Sequence, residues 1–78
     1  MKLKTLQAVS RRLDHAREQH PVFADNKEQA FVVIMDELNE LFDAIQNESW
    51  DRQVDEALDV IATCVRFIEG DVCGNGEM

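Results

Sequence analysis

Helix breakers are almost missing from this chain. Between Met1 and Glu69 there is one proline, Pro21, and no glycine; the three glycines are Gly70, Gly74 and Gly76. Sheet proteins need Gly, Pro and Asn at frequent turns, so this absence excludes an all-β fold and predicts an all-α one. Cysteine is also scarce. Cys64 and Cys73 are the only two, at neither a metal nor a redox spacing, which excludes a disulfide framework and a cysteine zinc site. Cys64 reads as packing within a helix and Cys73 as exposed. No apolar run reaches membrane-spanning length, and no signal peptide pattern is present, so no membrane is expected and a reducing cytoplasm is the expected setting. Basic residues are outnumbered, with 8 Lys and Arg against 16 Asp and Glu and a net charge of −8. Affinity for DNA or RNA comes from Lys and Arg displacing counterions, so a nucleic acid polymer is a poor partner.

What remains is the composition of a folded protein, 45% hydrophobic and 31% charged. Its 78 residues make one domain with a small core, and small helical chains commonly complete such a core by oligomerising. The pattern predicts an antiparallel bundle of three helices over residues 1–70, followed by a flexible tail over 71–78. Leu6, Val9, Leu13 and Ala16 form an apolar stripe on a first helix from about Leu3 to Gln19, which Pro21 ends. Val22 and Phe23 then plug the end of the core. Asp25 with Glu28 forms a capping box for a second helix, from about Asn26 to Gln46. Ser49 caps a third, from about Trp50 to Glu69, which Gly70 terminates. Lys2, Lys4, Arg11, Arg12 and Arg17 concentrate positive charge in the first helix, most simply as a solvated face.

The second helix raises the chemical question. At roughly 100° per residue, Phe31, Ile34, Met35, Leu38, Leu41, Phe42 and Ile45 share one broad face, the expected core stripe. Asp36, Asn39, Asp43 and Gln46 share a polar one. Glu37 and Glu40 fall between them, beside Ala30, Val33 and Ala44. The third helix repeats this: Val54, Ala57, Leu58, Ile61, Val65 and Ile68 make its stripe, with Glu56 and Asp59 to one side. Acids three residues apart lie about 5–6 Å apart at Cβ and repel one another. An exposed E-x-x-E pair is ordinarily a solvated face. Two pairs on consecutive antiparallel helices, each on a partly apolar strip, instead suggest four carboxylates around a divalent cation. Hard oxygen donors suit Mg²⁺, with Mn²⁺ also possible. Di-iron bundles use an E-x-x-H motif, and here His15 and His20 lie outside the second and third helices.

These residues carry a resemblance. DELNE (Asp36–Glu40) and EALD (Glu56–Asp59) are similar to the E-E-x-x-E and E-x-x-D motifs of the MazG-like all-α nucleoside triphosphate pyrophosphohydrolases, small phage and bacterial type. HPVFAD before the second helix and EALDVIATCVRFIEG through the third extend the resemblance over residues 10–70. It implies that Glu37, Glu40, Glu56 and Asp59 are both metal ligands and catalytic residues. It further implies that Mg²⁺ bridges them to a nucleotide, and that a metal-activated water releases pyrophosphate and a monophosphate. It also implies a homodimer or homotetramer whose neighbouring subunits complete the site. The sequence departs from the pattern at Asp36, where Glu is usual, and at Asn39, where Gly is frequent. Arg17 and Arg66 are candidate phosphate partners, although Arg66 lies near enough to Asp59 on the helical wheel to be its salt bridge instead. Trp50 can stack on a base or simply start its helix. The competing expectation is a non-catalytic helical interaction domain that has kept the fold without the reaction.

Overall fold

The computed structural model describes residues 1–73, and within them the chain forms three helices and no named strand: α1 (Leu3–Gln19), α2 (Lys27–Asn47) and α3 (Trp50–Ile68). The all-α expectation holds. α2 and α3 pack as a hairpin, and α1 packs on α3 without touching α2. No helix of the described residues is long and apolar enough to cross a membrane.

The helix ends follow the sequence closely. α1 stops one residue before His20, as Pro21 requires. The cap of α2 is displaced by one residue from the expected box: Asn26, not Asp25, is the N-cap, its side chain accepting from the Gln29 N–H at 2.8 Å. Gln29 rather than Glu28 reaches back, its Oε1 accepting from the Asp25 N–H. Asn caps as well as Asp, and Gln29 satisfies the N–H of the residue before the cap, so the helix start keeps two side-chain bonds. Ser49 is the N-cap of α3, but its side chain makes no capping bond. At the other end Gly70 has φ 85°, and the N–H groups of Gly70 and Asp71 donate to the carbonyls of Phe67 and Arg66. This is a complete Schellman turn, which needs the left-handed conformation that glycine supplies.

The core differs from the expected one. Its buried apolar residues are small: Val9, Ala24, Ala30, Ala44, Ala62 and Val72. The large residues of the expected α2 stripe are mostly outside. Phe31 is 61% exposed, Phe42 62%, and Met35, Leu38 and Ile45 about half. On α3, Val54, Ile61 and Ile68 are also exposed. The inward row of α2 is Ala30, Ile34, Glu37, Leu41 and Ala44, of which Ala30 packs on Ala24 and Val72, and the large residues one position further on are turned outward. Of the expected plug, Phe23 packs against Ala24, Ala30 and Val72, while Val22 is exposed.

The first residues of the tail are part of the fold. Phe23 N–H donates to Asp71 O, Cys73 N–H donates to Ala24 O, and Ala24 and Val72 form a parallel bridge. Val72 is buried. The flexible tail expected over 71–78 therefore does not begin at 71, and its remainder, residues 74–78, lies outside the described residues. Arg66 holds this junction. It is 4% exposed, and its guanidinium donates to Asp71 Oδ2 at 3.0 Å and to the carbonyls of Ala16 and His20 at the end of α1. It also lies 5.3 Å over the Phe23 ring. The expected Arg66–Asp59 pairing does not form. Burial alone would raise the Asp71 pKa, but the bonds from Arg17 and Arg66 outweigh it and hold the carboxyl below its usual range. Arg66→Met is expected to lower stability by about 2 kcal/mol or more, because it removes the bonds from α3 to the end of α1 and one of the two guanidinium partners of Asp71. Chemical denaturation measures this, and an unchanged midpoint would contradict it.

Candidate metal centre

The α2–α3 hairpin brings one acid of α2 against two of α3. Glu37, Glu56 and Asp59 each offer a carboxylate oxygen, and these oxygens lie within 4.8 Å of one another. Glu37 sits in the middle of the row that packs on α3, seven residues from Ala30 and seven from Ala44. Glu40, the fourth expected ligand, is not in this group. It is exposed, on the edge of α2 between the packed row and the polar face.

The acids are only partly balanced by basic side chains: Arg12 pairs with Asp59, and Arg52 lies 3.6 Å from Glu56. Glu37 Oε2 and Glu56 Oε2 are buried without any hydrogen-bond partner. Burial, then the neighbouring charges of Glu40 and Asp59, push the Glu37 carboxyl up to about 7. Burial, then Asp59 and Glu40, raise Glu56 as well, against a small opposing effect of Arg52. An unpartnered buried oxygen costs free energy, and two of them in one acidic cluster cost more. Octahedral Mg²⁺ with bonds near 2.1 Å needs ligand oxygens roughly 3–4 Å apart. Small side-chain rotations would meet that spacing, so the donor type, the number of oxygens and the orphaned atoms all fit a hard divalent cation.

Arg12 is the residue that sequence reasoning missed. From α1 it reaches α3, Nη1 donating to Asp59 Oδ1 at 2.5 Å and to the Asp55 carbonyl, Nη2 to Asp55 Oδ1 at 3.2 Å. A signal was present: Arg12 falls between Val9 and Ala16 at steps of three and four, inside the stripe read as core. The other basic candidates are committed elsewhere. Arg17 pairs with Asp71 and Glu69, and Arg66 with Asp71 and the end of α1. Trp50 is 73% exposed at the start of α3. Asp36 is exposed.

Two hollows flank the hairpin. A cavity of about 380 Å³ is lined by Glu37, Asp59 and Thr63 together with His20, Val22 and Phe23. A smaller apolar groove of about 140 Å³ lies between Leu41, Ile45, Trp50 and Val54 and shares no residue with the first. Comparison with models of protein families, with curated proteins and with solved structures finds no match to this chain.

Proposed function

We propose that this protein is a Mg²⁺-dependent nucleotide pyrophosphohydrolase, cleaving a (d)NTP or related nucleotide to the monophosphate and pyrophosphate in the cytoplasm as a homodimer or homotetramer. The observation that carries the reading is the convergence of Glu37, Glu56 and Asp59 with two buried oxygens left unpartnered. It is supported by the resemblance of DELNE and EALD to the motifs of the MazG-like enzymes. Glu37, Glu56 and Asp59 would hold the cation. When bound, Mg²⁺ supplies charge neutralisation at the phosphoryl oxygens and lowers the pKa of its water. Glu40, one turn from Glu37 and outside the trio, is the carboxylate left free to accept a proton from the attacking water. The cavity beside the trio falls within the volume range of small-molecule sites. Its apolar wall, Val22 and Phe23, can exclude water and seat a base, and His20 adds a polar group beside them.

The test is a screen for pyrophosphate release over canonical and modified (d)NTPs, with and without Mg²⁺. Release from at least one nucleotide, only with the metal, is expected. Silence across the panel with folded protein would leave the non-catalytic interaction domain as the better reading.

A further inference from the structure

α2 carries two apolar rows, one beside the other. The first is occupied by α3. The second, Phe31, Met35, Leu38, Phe42 and Ile45, advances by four, three, four and three residues and faces out. That spacing is the seam of a coiled coil, which stays on one side of a helix and is stable only when a second helix covers it. No charged residue falls on it. We propose that this row is a homodimer interface in which α2 pairs antiparallel with α2 of a second copy, Leu38 lying at the two-fold axis.

Four observations select a second copy as the occupant. The row is self-complementary under reversal: with Leu38 against itself, Phe31 meets the partner's Ile45 and Met35 meets the partner's Phe42. A two-fold axis requires such matching of a surface with itself. The charges agree with the antiparallel sense. Lys27, the single basic residue of α2, opens the helix beside Glu28, and Asp43 and Glu48 stand at its other end. Reversal brings each Lys27 to the partner's acidic end and opposes the helix dipoles, whereas a parallel pair would stack like ends. The area is sufficient. Five large apolar side chains about half exposed offer on the order of 500 Å². The outward row of α3 and Trp50, across the small groove, bring this toward the roughly 800 Å² that one partner of a stable interface covers. Finally, no large side chain in the described residues is fully buried, so the single chain lacks the core that small domains need. The groove and the acid-lined cavity share no residue, so pairing here leaves the candidate metal centre open. The proposed hydrolase is itself an oligomer, but this interface does not depend on its chemistry.

Sedimentation equilibrium of the full chain tests the assembly, and disulfide trapping tests the register. The wild type is expected at twice the chain mass, and Leu38→Glu is expected to weaken association on the order of a hundred-fold with helical content retained. Phe42→Glu provides a second variant should Leu38→Glu fail to fold. With Cys64 and Cys73 replaced by alanine, Leu38→Cys should cross-link to itself under mild oxidation, while Asp43→Cys on the solvated face should not. A wild type that sediments as a monomer, or a Leu38→Cys chain that does not cross-link, would overturn the proposal. Hydrolysis without dimerisation would refute the interface alone, and dimerisation without hydrolysis the enzyme alone.

Discussion

Glu37→Gln is expected to make the metal-free protein more stable at pH 8 while removing Mg²⁺ binding and pyrophosphate release. The two effects have one origin. Glu37 binds its proton with a pKa near 7 in the folded chain, against about 4.3 for an unperturbed glutamate. The folded state therefore holds more protons than the unfolded one between those values. The contribution to stability is fully present below about pH 4.5, declines as pH rises through 7, and is absent above it. Burial raises Glu56 in the same direction. Metal-free wild type should thus melt at a falling temperature across this window, and Glu37→Gln should flatten the slope. Allowing for solvent screening, the gain at pH 8 is on the order of 1–2 kcal/mol, or roughly 5–10 °C in a domain of this size. Mg²⁺ should raise the wild-type melting temperature at pH 8 and leave the variant unmoved. The same substitution should lower turnover by on the order of a thousand-fold or more, since charge stabilisation and water activation are lost together. Thermal melts with Mg²⁺ or chelator, across pH, decide the matter. A variant that loses stability along with activity would make Glu37 an ordinary structural residue.

Arg12→Gln should act in the opposite sense on the fold. Arg12 joins α1 to α3 through Asp55 and Asp59, and its half-buried guanidinium is the cation that faces the acid cluster from outside the hairpin. Removing it should cost the metal-free protein about 2 kcal/mol, the value of charge-assisted bonds in a partly shielded position. It should also free Asp59 Oδ1 and remove a repelling charge, so Mn²⁺ affinity should rise on the order of ten-fold. Electron paramagnetic resonance of free Mn²⁺ measures this directly and needs no turnover. Weaker Mn²⁺ binding would show instead that Arg12 orients Asp59 for the cation.

The helices were legible because their punctuation is chemical. Pro21, the Asp25–Asn26 pair, Ser49 and Gly70 mark ends that do not depend on tertiary contacts. The approach of Glu37 to Glu56 and Asp59 was legible too, because the spacing on each helix and the antiparallel turn between them are both local facts. The identity of the core was not. Reading Phe31, Leu38 and Phe42 as buried assumes that the largest apolar residues find one another within the chain. The buried positions are instead small ones, Ala30, Ala44 and Ala62, and the largest side chains of α2 face outward. Glu40 lies outside the trio but adjoins it: its carboxylate raises both Glu37 and Glu56, although three residues turn it about 60° from the packed row. Arg66 and Asp71 could not be paired from the sequence, because their bond depends on the Schellman turn folding the chain back beneath Phe23.

The two adjacent rows of α2 also limit where the molecule can be altered. One side of the helix is held by α3 and the acids, and the next is apolar along its whole length. Away from the acids and the helix ends, a ribbon through Asp36, Asn39, Asp43 and Gln46 is both polar and exposed. A fluorophore, an affinity handle or an added charge meant to leave the protein undisturbed belongs on that ribbon, and a label on any other side of α2 reports on its own disturbance.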